Sequence, residues 1–203
     1  MQIIKHRVNS CIDLRDLDTN LGVEMDIRSC GDEIYVGHDA FTHNNQLFSD
    51  WISEFRHGTL VVNVKEEGIV FRAREILSQK GVENYFLLDQ SFPYLVKTLN
   101  LNESRCAVRF SDLESSHTIT LLRDKVVTQP SWVWVDSFTG DWSHLRYLTE
   151  IRSQGMKTCI VSPELQGRPV ENEIRQIRSI VLDNEIDAVC TKYPDSWKSV
   201  DSA

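Results

Sequence analysis

The sequence lacks long hydrophobic runs, paired cysteines and the common nucleotide-binding or hydrolase motifs. No apolar stretch approaches the roughly 18 residues that a membrane-spanning helix needs, and the first ten residues hold no signal-peptide core. The five cysteines are scattered, with no C-x-x-C spacing, which indicates reduced thiols and a cytoplasmic protein. No Gly-rich phosphate loop, G-x-S-x-G or zinc-spaced cluster is present. These absences exclude an integral membrane segment, a P-loop and a zinc-finger framework.

Positive charge is also in short supply. The chain has 22 Lys and Arg residues against 30 Asp and Glu residues, which gives a net charge of −8. Nucleic acids and anionic membranes bind to basic surfaces, so we expect neither as a partner. A small anionic substrate stays compatible, because a local group of cations outweighs the global charge. Composition sets no oligomeric state.

The chain has no low-complexity tract or Pro/Gly-rich linker, so we predict one domain over residues 1–203. Short apolar runs of the kind found in buried parallel strands recur along it. There are eight, at 3–7, 23–28, 60–65, 85–89, 106–110, 132–136, 158–162 and 187–191. Alternating with helical patterns, they predict a small (β/α)8 barrel of the α/β class. A doubly wound open sheet is the alternative. A further run at 33–38 is predicted to be an insert beside the second strand.

Helical periodicity fills several of the gaps between these runs. Apolar residues at 69–77 predict a helix that stops near Gly81, and Ser91 before Phe-Pro predicts a capped helix start. Further stripes lie at 145–151 and 174–181, with weaker patterns at 8–21 and 112–125.

Polar or charged side chains stand at the ends of nearly all the predicted strands. In order they are His6 and Arg7, Glu24 and Asp26, Asn63 and Lys65, Asp89, Arg109, Asp136, Ser162 to Glu164, and Thr191 with Lys192. Successive side chains of a strand alternate between its faces, so residues two apart share a face. The carboxyl ends of the strands form the mouth of a (β/α)8 barrel, where its active site lies. We therefore expect these side chains to converge on one site.

The pair Glu24 and Asp26 offers two carboxylates on one strand face. Such a pair is a hard oxygen site, suited to Mg²⁺ or Ca²⁺. The alternative is that Arg7, Lys65 or Arg109 neutralises the two acids without a metal.

Two histidines and several cations complete the predicted site. His6 and His38 are candidates for a general acid–base pair, since imidazole titrates near neutral pH. Lys65 and Arg109 are candidates for binding an anion, or else they form salt bridges to the neighbouring carboxylates. Two residues after the seventh strand are predicted either to touch a polar head group or to belong to a solvated turn; they are Glu164 and Arg168.

Taken together, these motifs resemble the glycerophosphodiester phosphodiesterase family, within the superfamily of phosphatidylinositol-specific phospholipase C. The resemblance rests on "HR" at 6–7, "VEMDIR" at 23–28, "GDEIYVGHDAF" at 31–41, "VNVK" at 62–65 and "DAVCTKYPD" at 187–195. The first 65 residues match well, the middle matches mainly as a barrel, and the end matches again. The chain would be a divergent, short member.

The resemblance implies a role for each matching residue. His6 and His38 would be the general acid–base pair, and Arg7 would bind the phosphate. Glu24 and Asp26 would hold one divalent cation, Mg²⁺ or Ca²⁺, with Mn²⁺ as a substitute. Lys65 would stabilise the phosphate charge. The implied partner is a small phosphodiester.

The sequence departs from the family pattern at three points. Asn63 stands where the family usually has a third acidic ligand, so we expect weaker metal binding. Val8 replaces the usual Gly, and "VNSCIDL" replaces the usual Glu-Asn-Thr.

Three functional hypotheses follow from these observations. The first is a metal-dependent phosphodiesterase that uses His/His acid–base catalysis, with a cyclic phosphate as first product if a neighbouring hydroxyl attacks. The second is a barrel without hydrolytic activity that binds a phosphorylated ligand or a protein. The third is a metal-dependent lyase or isomerase on the same scaffold.

Overall fold

The computed structural model describes residues 1–41, 46–169, 173–177, 181 and 185–198. Within these residues, nine strands form one sheet: β1 Gln2–Lys5, β2 Gly22–Cys30, β3 Glu33–Val36, β4 Leu60–Val64, β5 Tyr85–Leu88, β6 Ala107–Phe110, β7 Trp132–Val135, β8 Lys157–Val161 and β9 Ala188–Thr191. Each of the eight predicted runs contains or overlaps one strand of this sheet.

The eight parallel strands follow the order β5-β4-β2-β1-β9-β8-β7-β6. An isolated parallel bridge between Leu87 and Cys106 joins β5 to β6 and brings the two edges together. The predicted (β/α)8 barrel is therefore confirmed, and the doubly wound sheet is excluded. Strand β3 lies outside this circuit and pairs antiparallel with the outer half of β2, as predicted for the run at 33–38.

Seven helices are bounded among the described residues: α1 Cys11–Arg15, α2 Phe48–Glu54, α3 Val70–Gln79, α4 Phe92–Asn100, α5 Ser116–Lys125, α6 Leu148–Ser153 and α7 Pro194–Lys198. Short 3-10 turns occupy Ser143–Tyr147 and Pro163–Gln166. Residues 173–177 and 181 are also helical. In this described part of the chain, no helix has the length and apolar character to cross a bilayer.

The predicted helical stripes fall on α3, α4 and α6, and the weaker patterns contain α1 and α5. Ser91 does precede α4, but its side chain makes no capping hydrogen bond, so the predicted cap is wrong in its chemistry. Pro93 has no backbone N–H that would need an acceptor, which suits the first turn of α4. Helix α2 had no strong sequence signal. Ile180 of the last predicted stripe lies outside the described residues.

The barrel has two distinct apolar layers. The outer layer, between strands and helices, includes Val23, Met25 and Ile27 of β2. The inner layer lines the barrel and includes Ile4, Val61, Phe86, Trp132, Trp134, Cys159 and Cys190. Phe86 stacks on Trp132 at a centroid distance of 4.6 Å, so the two tryptophans pack inside the barrel. All five cysteines are free, and all but Cys30 are buried.

The seam between β5 and β6 has few backbone hydrogen bonds, and Glu103 reinforces its amino-terminal end. The Glu103 carboxylate accepts hydrogen bonds from the backbone N–H of Arg105 at 2.9 Å and from its guanidinium at 2.8 Å. Arg74 of α3 forms an ion pair with it at 2.7 Å. Glu103 is 2% exposed, so its charge depends on these partners.

We predict that Glu103→Gln lowers the free energy of unfolding by about 1–3 kcal/mol, because buried charge-assisted hydrogen bonds are lost. Urea denaturation measures this change. The matched control is Glu75→Gln, which removes an exposed pair with Arg72 and should cost less than about 0.5 kcal/mol. Equal losses in the two variants would contradict this account of the seam.

Candidate active site

The barrel mouth gathers its polar side chains from the inner faces of β2 and β4. Val23, Met25 and Ile27 of β2 pack in the outer layer, so the alternating Glu24 and Asp26 point into the barrel. In the register of the parallel pair, Asp26 lies opposite Asn63 of β4. Glu24 and Asp26 are each 1% exposed. The structure therefore brings together the three residues predicted as metal ligands.

Both oxygens of Glu24 accept a hydrogen bond. The backbone N–H of Arg7 donates to Oε2 at 2.7 Å, and the Asn63 amide donates to Oε1 at 2.9 Å. His6 Nε2 lies 3.7 Å from Oε2. Burial, followed by the charge of Asp26, raises the pKa of Glu24 to about 7. Without a cation, Glu24 therefore carries a proton over much of the pH range below neutrality.

Asp26 is held from two sides. The Asn9 side chain makes two hydrogen bonds with Asp26. Its amide N–H donates to Oδ2 of Asp26 at 2.8 Å, and its amide oxygen accepts from the backbone N–H of Asp26 at 3.0 Å. Arg7 Nε lies 3.8 Å from Oδ2, and Lys65 Nζ lies 3.3 Å from Oδ1. The ion pairs predicted as the alternative to a metal are thus present for Arg7 and Lys65.

Two enclosed oxygens at this site make no hydrogen bond, and they are Oδ1 of Asp26 and Oδ1 of Asn63. The first has the ion pair with Lys65 at 3.3 Å as its compensation, whereas the second is an amide oxygen without a donor. A buried amide oxygen without a donor is costly, and a cation bound there would compensate it. Across the described residues, no group of three or more Asp, Glu, His or Cys side chains is placed to share a metal ion. A cation here would rely on Glu24, Asp26 and the carbonyl oxygen of Asn63, which are ligands that Mg²⁺ and Ca²⁺ accept.

His6 lies deep in the mouth, directly after β1. Burial first, and then the charge of Arg7 with smaller effects of Lys192 and Lys65, lower its pKa to about 4 against the opposite effect of Asp26. Its Nδ1 atom is enclosed and has no hydrogen-bond partner. The ring is therefore neutral near pH 7 and able to accept a proton.

His38 sits nearer to solvent than His6. Strand β3 returns it to the mouth, because the N–H of the preceding Gly37 donates to the Asp26 carbonyl at 2.9 Å. Its Nδ1 atom lies 2.7 Å from the Asp39 carboxylate, which selects the tautomer with the proton on Nδ1. The hydrogen bond from His38, and more weakly the charge of Arg7, lower the pKa of Asp39.

Arg109, a predicted anion-binding residue, is already fully engaged. Its guanidinium donates to Asp89 at 2.8 Å, to Glu114 at 3.0 Å and to Asp136 at 3.2 Å. Phe138 covers it, with the ring centroid 5.5 Å from the guanidinium carbon. The salt-bridge alternative therefore describes Arg109 in this structure.

Glu164 and Arg168 also have internal partners. Glu164 accepts hydrogen bonds from the Thr191 hydroxyl at 2.6 Å and the Lys192 N–H at 2.8 Å, and it contacts the Ser162 hydroxyl. Arg168 pairs with Glu173 at 2.7 Å. These contacts tie β8, β9 and the following turns together, so both residues serve the fold here.

Sequence reasoning missed Asn9, and it placed Lys192 at a strand end without giving it a role. Asn9 makes both polar contacts to Asp26 but lies in "VNS", a stretch with no recognisable motif. The only signal was a polar residue between the first strand and the Ser10 cap of α1, whose hydroxyl accepts from the Asp13 N–H. Lys192 follows β9 and acts on His6 through its charge.

The opposite pKa shifts of Glu24 and His6 predict opposite pH dependences of stability in the metal-free protein. Because its pKa is raised, Glu24 contributes to the free energy of unfolding fully below pH 4.5, and this contribution is lost as the pH rises to about 7. The lowered pKa of His6 gives stability that is present above pH 6.5 and lost as the pH falls to about 4.

Urea unfolding with a chelator, repeated from pH 4.5 to 6.5, tests this balance. The free energy of unfolding of Glu24→Gln should rise more steeply with pH than that of wild type, because the contribution of Glu24 no longer opposes that of His6. His6→Asn should shift the slope the other way. The prediction fails if both variants keep the wild-type slope.

Comparison with known proteins supports the fold. No protein-family model and no curated protein matches the sequence. The structure is similar to that of a glycerophosphoryl diester phosphodiesterase from Parabacteroides distasonis ATCC 8503, with a TM-score of 0.72 and 11% identity over 99% of this chain and 86% of that one. It is also similar to a candidate glycerophosphoryl diester phosphodiesterase from Agrobacterium tumefaciens str. C58, with a TM-score of 0.70 and 12% identity over 99% and 97%. The chain therefore has the fold of these phosphodiesterases at low sequence identity, which confirms the predicted resemblance at the level of the fold.

Proposed function

We propose that the protein is a phosphodiesterase that cleaves a small phosphodiester, with one divalent cation and a His6/His38 acid–base pair. One observation carries the proposal: the enclosed Asn63 Oδ1 has no hydrogen-bond donor, and it lies beside two buried carboxylates, Glu24 and Asp26, with Arg7 and Lys65 within 4 Å of Asp26. Such a site suits a cation and a phosphate together. The two structural neighbours, named as phosphodiesterases, support the same reaction class.

Glu24, Asp26 and Asn63 would hold the cation, which is Mg²⁺ or Ca²⁺ with Mn²⁺ as a substitute. When bound, the cation withdraws charge from a phosphoryl oxygen and so favours attack at phosphorus. Arg7 and Lys65 would bind the remaining phosphate oxygens, since both already lie within 4 Å of Asp26. The proposal does not need Arg109, Glu164 or Arg168 as substrate contacts, since each already has a partner within the protein.

The two histidines divide the proton transfers according to their surroundings. His6, neutral and partly buried, would take a proton from the attacking hydroxyl. His38 would act as the acid in its doubly protonated form: Nδ1–H stays on Asp39, and the proton on Nε2 passes to the leaving alkoxide near solvent, which leaves the neutral Nδ1–H tautomer. The nucleophile is water or a neighbouring hydroxyl of the substrate, and in the second case the first product is a cyclic phosphate.

A second candidate is a binding module for a phosphorylated ligand. It rests on the Asn63 amide, which donates to Glu24 and adds no negative charge where a third carboxylate would strengthen cation binding. In this case Arg7 and Lys65 would hold the phosphate without turnover.

Phosphorus NMR with a panel of phosphodiesters, with Mg²⁺, Mn²⁺, Ca²⁺ or chelator, tests the proposal. We expect metal-dependent turnover that falls by at least about 100-fold in His6→Ala and in His38→Ala, since acid–base groups typically contribute 10²–10⁴-fold. His117→Ala, at an exposed position on α5, is the matched control. A phosphorus signal of a cyclic ester during the time course would identify the neighbouring hydroxyl as nucleophile. Phosphate binding without turnover on the whole panel would favour the binding module.

We further predict that Asn63→Asp strengthens divalent-cation binding by about tenfold, because it adds a negative charge to the ligand set. Mn²⁺ titration followed by electron paramagnetic resonance measures the dissociation constant. Asn84→Asp is the control, since Asn84 contacts Thr59 at the other end of β4. Unchanged or weaker binding in Asn63→Asp would place the cation away from this residue.

A further inference from the structure

A row of alternating charges crosses the barrel mouth. It runs through Asp26, Lys65, Asp89, Arg109 and Asp136, which belong to or directly follow β2, β4, β5, β6 and β7. Consecutive members lie 3.3, 3.6, 2.8 and 3.2 Å apart. We call this set the charged row. It joins the proposed cation site to the far side of the mouth.

Asp89 is the member of the row with an unusual backbone. Its φ of 58° lies in the left-handed region, which residues other than glycine seldom adopt. Asp and Asn tolerate this region better than most residues, because their short polar side chains bond locally. In this conformation its carboxylate stands between two cations, with Oδ1 on Arg109 and Oδ2 on Lys65. Arg109 is anchored in turn by Glu114 and Asp136.

Lys65 is shared between two carboxylates at similar distances. Its Nζ atom lies 3.3 Å from Oδ1 of Asp26 and 3.6 Å from Oδ2 of Asp89. Oδ1 of Asp26 makes no hydrogen bond besides this ion pair, and it is also an oxygen that the proposed cation would use. Lys65 and a divalent cation therefore compete for the same carboxylate oxygen.

We propose that Asp89 is a positioning residue that draws Lys65 away from Asp26 and so leaves that carboxylate open to a divalent cation. The inference rests on the proposed cation site and adds a residue outside it. When the cation takes Asp26, Asp89 remains as the counter-ion of Lys65. The ammonium then stays at the mouth, where a phosphate oxygen meets it, instead of swinging into solvent.

The competition has a direct energetic consequence. Without the charge of Asp89, Lys65 pairs with Asp26 alone, and a cation must displace the whole of that ion pair. Asp89 should therefore strengthen cation binding only when Lys65 is present. A carboxylate that merely added negative charge to the mouth would strengthen it with or without Lys65.

The test is an Mn²⁺ titration of the full chain by electron paramagnetic resonance, without substrate. Asp89→Asn keeps the backbone tolerance and an acceptor for Arg109 but removes the charge, so we expect it to fold and to weaken Mn²⁺ binding about 3–10-fold. Lys65→Met should bind Mn²⁺ more tightly than wild type, because the competitor is gone. In the Lys65→Met background, Asp89→Asn should change the affinity less than about twofold.

Glu114→Gln is the matched control, since Glu114 bonds to Arg109 in the same network but is not paired with Lys65. It should leave the Mn²⁺ affinity within about twofold of wild type. Circular dichroism of each variant checks that it is folded.

Each other outcome overturns the inference in a distinguishable way. Wild-type protein that binds no Mn²⁺ removes the proposed cation site and this inference together. Normal affinity in folded Asp89→Asn removes this inference alone. If Asp89→Asn weakens Mn²⁺ binding equally in the wild-type and Lys65→Met backgrounds, Asp89 acts only through its charge and not through Lys65, and the inference is rejected.

Discussion

Two carboxylates buried side by side constrain the whole mouth of this barrel. Glu24 and Asp26 are almost completely enclosed, and an isolated carboxylate in such surroundings is unfavourable by several kcal/mol. The chain responds in two ways: Glu24 has a raised pKa, and Asp26 is surrounded by Asn9, Arg7 and Lys65. The loops after β1 and β4 take their positions from these contacts.

The same constraint extends around the mouth through the charged row. Lys65 forms ion pairs with Asp26 and with Asp89. Asp89 in turn forms an ion pair with Arg109 on β6. The Asp89–Arg109 pair therefore bridges β5 and β6 at the seam where backbone pairing is sparse. At the other end of this seam, Glu103 pairs with Arg74 of α3 and with Arg105, whose guanidinium carbon lies 4.4 Å from the ring centroid of Tyr85 on β5. Electrostatic contacts thus support closure of the barrel where hydrogen bonds between strands are few.

A site with two carboxylates and one amide differs from a site with three carboxylates in charge more than in shape. Asn63 occupies the same inward position that an acid would, because the strand register fixes it opposite Asp26. Its amide hydrogen bond to Glu24 holds the ligand set together without a cation, where a third carboxylate would repel the other two. The Asn63 amide therefore offsets part of the repulsion between the two carboxylates when no cation is bound.

The sequence by itself determined the eight strands, the insert at β3 and the convergence of Glu24, Asp26, Asn63, Lys65 and His6 on one mouth. Strand alternation and the common carboxyl end of parallel strands suffice for that, since both are local or topological rules. Only the tertiary structure decided which polar side chains contact one another. Arg109 donates hydrogen bonds to three carboxylates, and Glu164 accepts hydrogen bonds from Thr191 and Lys192. Asn9 donates to Asp26, and the sequence separations of these contacts range from 5 to 28 residues. Side-chain partners of this kind depend on distances between loops, and those distances exist only once the barrel has closed.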